Sequence, residues 1–291
     1  MAEKAPGFFD TFTGDEAALM ETIMAELKSV PWAQPLLKDI ADNGGLCGAN
    51  MARFFELRHG HALHKTGITP GYEVPGEGAS TIDFGFTNKG HTFKVEMMRL
   101  TETAAARAAT TEEIDEHGTR WVKRILSLAN ADKKQSGEGE TLKAVERICQ
   151  KCEKGGKPYK FLPAAEAINL LLVDFRTFAS RGGDLYDYLH IALGGLYVKP
   201  PYRMYWGDGK SRKLISGVFS PHTTVKGVVE VRERLHFIGI VNERRFKIGD
   251  HAQAINFVAN PHLFKTSHEV RATLQNWPLP LAPSQVLNSV I

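Results

Sequence analysis

Asp83 and Glu96 are the residues of this chain whose type and spacing best fit a chemical role. Asp83 lies in Ile82-Asp83-Phe84-Gly85-Phe86 and Glu96 in Phe93-Lys94-Val95-Glu96-Met97-Met98-Arg99-Leu100, on either side of the polar turn Thr87-Asn88-Lys89-Gly90. The pattern predicts a β-hairpin with one carboxylate on each strand. Alternation puts Ile82, Phe84 and Phe86 on one face and Asp83 on the other. It likewise sets Glu96, with Lys94 and Met98, opposite Phe93, Val95 and Met97. In that register the carboxylates converge on one side of the sheet. Two hard oxygen donors so placed are the minimum for holding Mg²⁺ or Mn²⁺. The competing reading makes them solvated polar faces of a half-buried hairpin.

The elements around the hairpin follow from period and punctuation. Ala18, Leu19, Ile23, Met24 and Leu27 form a stripe on a helix from Asp15 to about Ser29, with Pro31 as its stop. A short helix from about Trp32 to Ile40 ends at Asn43-Gly44-Gly45. A third runs from about Cys47 to Lys65, and Gly71 to Ser80 reads as a loop. After the hairpin, helices are expected from about Glu112 to Ala129 and from about Thr141 to Glu153, separated by the polar stretch Lys133 to Gly139. The apolar run Ile168 to Phe175 predicts a central strand buried on both faces. Strand-like segments follow at Lys213–Phe219, Gly227–Arg232, Leu235–Val241 and Ala254–Val258, then a helix near Ser267 to Asn276. The order predicts an α/β (α+β) fold, a mixed central sheet flanked by helices. One domain over 1–291 is expected, with a helical N-terminal extension (1–45), a core (46–180) and a strand-rich C-terminal extension (181–291) of the same sheet, since no linker separates them.

The layout helix, loop, β-hairpin with Asp then Glu, helix and buried strand resembles the PD-(D/E)XK nucleases, the restriction-endonuclease-like fold, over roughly Leu46 to Phe175. Asp83 takes the place of the Asp in that family's first motif and Glu96 that of its acidic second motif. The preceding helix, which in many members supplies a further acid, offers Glu56, with Glu73 second. The resemblance implies a metal-dependent phosphodiesterase acting on DNA more than RNA, in defence, a mobile element or repair. It also implies Mg²⁺ or Mn²⁺ held by Asp83, Glu96 and Glu56.

One departure stands out. The family's lysine belongs two residues after the glutamate, where this chain has Met98. Methionine neither polarises a water nor holds a phosphate. Arg99 points to the opposite face and does not act as a base. Some relatives move the lysine to an adjacent helix. Here Lys143, Arg147, Gln150, Lys151 and Lys154 share one face of the helix that follows, opposite Leu142, Val145, Cys149 and Cys152. Lys143, Gln150 and Lys151 are therefore the candidates for the missing lysine, and the competing reading is a solvated basic face. Arg53, Lys65, Arg99, Lys133, Lys134 and Arg147 are candidate contacts to a nucleic-acid backbone. Met98 keeps open a catalytically inactive descendant that binds nucleic acid or a protein.

Composition sets wider bounds. With 291 residues, 43% hydrophobic, 24% charged and a net charge of +3, the chain reads as an ordinary globular protein, mildly basic. Three cysteines exclude a disulfide framework, and no apolar run approaches a membrane span or signal peptide. A reducing, cytoplasmic protein without a membrane is expected, with DNA and a second copy in a homodimer as partners. Cys149-x-x-Cys152 lacks the second half of a zinc site. His61 and His64 share a helix face without a zinc-protease glutamate. Tyr197, Tyr202, Tyr205 and Trp206, among Lys199, Arg203 and Lys210, read as a packed loop or as a stacking platform for unpaired bases.

Overall fold

A computed structural model describes residues 12–114, 120–124, 136–178, 183–207 and 211–287. Helix α1 (Gly14–Leu27) starts in a capping box, in which Thr13 and Glu16 each satisfy the other's backbone N–H. Helix α2 (Gln34–Asp42) and helix α3 (Met51–Lys65) follow. Then come strands β1 (Gly71–Pro75), β2 (Thr81–Asn88) and β3 (His91–Thr101). Helix α4 (Ala104–Ala108) and a small hairpin, β4 (Thr110–Ile114) with β5 (Arg120–Arg124), lead to helix α5 (Gly137–Gln150). A second small hairpin, β6 (Glu153–Lys154) and β7 (Lys157–Pro158), precedes β8 (Ile168–Thr177). The rest comprises α6 (Leu185–Ala192), β9 (Tyr205–Trp206), β10 (Lys213–Leu214), α7 (Val228–Arg234), β11 (Phe237–Val241), β12 (Ile255–Ala259) and α8 (Ser267–Leu274).

Six strands form one mixed sheet in the order β1-β2-β3-β8-β11-β12, so the fold is α+β. The first three strands are an antiparallel meander. β3, β8 and β11 run parallel, and β12 returns antiparallel at the edge. Going from β3 to a parallel β8 needs a crossover, which α5 supplies.

The pleat of β8 explains the layers. Leu170 and Leu172 face a core with Met20 of α1, Leu36 of α2, Phe54 of α3 and Leu274 of α8. Leu171, Val173 and Phe175 face the other core, with Val145 and Ile148 of α5, Ile191 of α6 and Val231 of α7. Both faces are covered, which is why this strand reads as a continuous apolar run. Gly60 brings α3 close to the sheet, because a Cβ there would lie 2.4 Å from Trp32 Cη2 and 3.0 Å from Phe84.

Several expectations are corrected. Gly71 to Ser80 is not all loop, since β1 pairs with β2 from Gly71↔Gly85 to Pro75↔Thr81. Over the described part of Glu112–Ala129 the backbone is the β4–β5 hairpin, not a helix. The β-branched Thr110, Thr111, Ile114 and Val122 favour that outcome. Gly227–Arg232 is helical because Gly227, at φ +86, starts a turn that buries Val228 and Val231 on one side. There valine's strand preference yields to packing. Of the segment Lys213–Phe219, Lys213–Leu214 pairs as strand and Ser216 makes a single bridge to Gly194. Helices α4 and α6 are additions. The Asp184 carboxylate caps α6 through the Tyr186 and Asp187 N–H groups. Among the described residues, no helix is long and apolar enough to cross a membrane.

Candidate active site

The hairpin forms in the expected register, with Phe84↔Val95 and Phe86↔Phe93 paired. Beyond Phe84↔Val95 the Met97 N–H donates to Asp83 Oδ2 at 2.6 Å, so a side chain takes up a backbone group where the two strands part. Phe93, Val95 and Met97 lie in the first core and Met98 and Leu100 pack in the second, which leaves Glu96 facing α5. Ile82 departs from strict alternation and joins the second core rather than that of Phe84.

Glu96 is 1% exposed, and its Oε1 accepts from Lys151 Nζ at 2.9 Å and is ion-paired with Lys160 Nζ at 3.0 Å. Its Oε2 is buried and has no hydrogen-bond partner among the described residues. Lys151 is the C-cap of α5, so the helix that bridges β3 and β8 delivers an ammonium to the strand carrying the glutamate. Cations are also favoured at a helix C-terminus. Glu56 arrives from α3 and accepts from Tyr72 Oη at 2.8 Å. The three carboxyls sense one another. Burial, then Glu96 and Glu56, push Asp83 up to about 8. Burial and the charge of Glu96 also raise Glu56 against the hydrogen bond from Tyr72. Burial alone would lower Lys151, but Glu96, Asp83 and Glu56 outweigh it and raise its pKa. Lys151 is therefore held as an ammonium, which contributes charge rather than base strength.

The other expected residues are placed as follows. Lys143 Nζ pairs with Glu146 at 2.5 Å and Gln150 Nε2 donates to the same carboxylate at 3.3 Å, so neither reaches Glu96. Arg147 donates to the Thr101 carbonyl at 3.3 Å. Arg99 lies 3.4 Å from Asp174 on the face opposite Glu96. Arg53 is bound to Asp39, and Lys65 reaches Glu26 at 3.1 Å. Lys133 and Lys134 lie outside the described residues. Glu73 is exposed on β1 at φ +49. His61 contacts Glu26 at 2.8 Å instead of the carboxylate cluster. Cys149 and Cys152 are buried, and burial pushes the Cys149 thiol up to about 12, far from the thiolate that metal or redox chemistry needs.

Lys160 and Tyr72 were not singled out by the sequence patterns. A signal for Lys160 exists in Lys154-Gly155-Gly156-Lys157. Two glycines at φ +64 and +79 close the β6–β7 hairpin, which turns the chain back from α5 towards β2. The carboxylates of Asp83, Glu96 and Glu56 are hard oxygen donors suited to Mg²⁺ or Mn²⁺, and the partnerless Oε2 of Glu96 fits a cation. Among the described residues, no three His, Cys, Asp or Glu side chains are gathered as a ready metal cluster. No protein-family model, curated protein or solved structure matches this chain.

Proposed function

We propose that this protein is a metal-dependent phosphodiesterase acting on nucleic acid, DNA in preference to RNA. The observation that carries the reading is the pairing of Glu96 on β3 with Lys151 on the crossover helix, beside Asp83 on β2. An acid on each of two neighbouring strands, with a lysine beside them, is a set of groups able to support metal-assisted phosphodiester hydrolysis. The β2–β3 hairpin, α5 and the buried β8 are further support, because helix, hairpin with Asp then Glu, helix and buried strand is the layout that resembles the PD-(D/E)XK nucleases. Lys151 from the helix would stand in for the lysine that Met98 replaces.

Asp83 and Glu96 would hold Mg²⁺ or Mn²⁺, with Glu56 as the third acid. Such an ion, when bound, polarises a phosphoryl oxygen and supplies hydroxide near neutral pH. Lys151 offsets the charge that builds on the phosphate in the transition state. Tyr72 orients Glu56 through its hydroxyl. The Met97 N–H fixes one oxygen of Asp83 and leaves the other for a ligand.

The test is cleavage of plasmid and single-stranded DNA with Mg²⁺ or Mn²⁺ by the wild-type chain, Asp83→Ala and Glu96→Ala. Metal-dependent cutting lost in both variants supports the reading. A folded wild type that cuts neither substrate supports the second reading, a silent nuclease-like protein that binds nucleic acid or a protein partner, which Met98 favours.

A further inference from the structure

Lys160 occupies a position that the chain goes to some length to fix. Its backbone is left-handed, at φ +68, a conformation that disfavours every residue with a Cβ. The β1–β2 loop holds it there. The Glu77 N–H donates to the Lys160 carbonyl at 2.9 Å, and the Lys160 N–H donates to Ser80 Oγ at 3.1 Å. Gly76 permits the approach, because a Cβ at that position would lie 2.5 Å from the Lys160 carbonyl oxygen. An observed backbone outlier of this kind, over-determined by its surroundings, points to a role for the side chain it aims.

That side chain is 16% exposed and ends 3.0 Å from Glu96 Oε1, the same oxygen that Lys151 contacts at 2.9 Å. The distribution is lopsided. Two ammonium groups crowd one oxygen while Oε2, also buried, has no hydrogen-bond partner among the described residues. Asp83 and Glu56 share this cluster, so two lysines do not outnumber its acids, but satisfying both oxygens of Glu96 would put one lysine on each. The crowded oxygen and the open one therefore call for another account.

We propose that Lys160 is a second cation of the candidate site, and that in the free protein Lys151 and Lys160 together hold Glu96 in the charge environment that a divalent ion would otherwise provide. With nucleic acid present, both ammonium groups turn to the phosphate. This inference rests on the phosphodiesterase reading above. It makes Lys160 a competitor of the metal for Glu96 and a partner of the phosphate, two roles that one substitution separates.

The experiment is Mn²⁺ titration by calorimetry, on the full chain without nucleic acid, beside single-turnover cleavage of a labelled DNA. The expected result for Lys160→Met is Mn²⁺ affinity raised about threefold or more, because a positive charge beside the ligand is gone. Its cleavage falls about 100-fold, the scale of losing one stabilising group at a developing charge. Lys160→Gln keeps a donor towards Glu96 and is expected to move both readouts the same way by less. It carries the test if Lys160→Met melts below the assay temperature. Mn²⁺ affinity that is unchanged or weaker in folded Lys160→Met or Lys160→Gln, while the wild type binds and cuts, overturns this inference alone. It leaves Lys160 as a clamp between the β1–β2 loop and β3. A wild type that neither binds Mn²⁺ nor cuts overturns the phosphodiesterase reading and this inference with it.

Discussion

Lys151 Nζ and Glu96 Oε1 stand 2.9 Å apart although 55 positions separate the two residues. A lysine two residues after the glutamate would point to the same face by strand alternation. Met98 holds that place and packs against the core formed with α5. The helix thus brings back the charge that the strand lacks, and the two positions are exchangeable in principle. Lys151→Met is expected to lower cleavage about 100-fold. Adding Met98→Lys to that variant is expected to recover about tenfold, since a lysine stem can lie along the same apolar surface and extend its ammonium to Glu96. Single-turnover rates on one DNA substrate check both.

Tyr72 sets the position of Glu56. Removing its hydroxyl leaves a half-buried carboxyl without the 2.8 Å donor that offsets burial and the charge of Glu96. Tyr72→Phe is expected to cost about 1 kcal/mol of stability, the net worth of one hydrogen bond, with cleavage lowered severalfold. Denaturant unfolding and turnover measure the two effects separately.

Away from the site, Glu16 is the most consequential acid. It is 1% exposed and accepts from Arg176 at 2.5 Å and from the Phe246 N–H at 2.9 Å. Burial alone would raise its pKa, but the bonds from Arg176, Phe246 and Thr13 outweigh it and hold the carboxyl at about 2. A carboxyl depressed in the folded state stabilises the fold above its unfolded value of 4.5, and that stability is lost as pH falls towards about 2. Glu16→Gln is expected to cost about 3 kcal/mol near neutral pH by removing the buried carboxylate charge that faces Arg176. It is also expected to flatten the fall in stability between pH 4.5 and 2. Urea unfolding across that pH range is the check.

Gly60 gives a packing test. A Cβ 2.4 Å from Trp32 forces the ring or the helix to shift. Gly60→Ala is expected to destabilise by about 1–3 kcal/mol, the usual scale of overpacking, despite alanine's better helix propensity. Trp32→Leu in the same chain is expected to return part of that loss. Melting curves of the single and double variants decide it.

The sequence made the hairpin legible because the residues from Phe84 to Val95 agree with one register, and made β8 legible because both its faces are covered. Lys151 was legible from helix spacing. Lys143 and Gln150 share that spacing but bind Glu146, a neighbour that spacing alone does not weigh. Lys160 was missed because its aim depends on a positive φ and on a contact with Glu77, both long-range outcomes of the β6–β7 turn. Helix α7 was misread because Val228 and Val231 favour strands until a core rewards them at helical spacing. Tyr72 was hidden because β1 itself reads as loop when its pairing partner is unknown.

The bond between Glu16 and Arg176 spans 160 residues, and that from the Phe246 N–H spans 230. Helix α1 leaves the ribosome well before Arg176 and Phe246, so its buried carboxylate acquires these partners only once those later segments have been made. Until then Met20, Ile23 and Leu27 also lack the core that covers them. Contacts so distant in sequence slow folding, because a long loop must close before they reward it. During synthesis the first helix is thus an exposed amphipathic segment, and the nascent chain is most prone to aggregate before β8 and the Phe246 segment emerge.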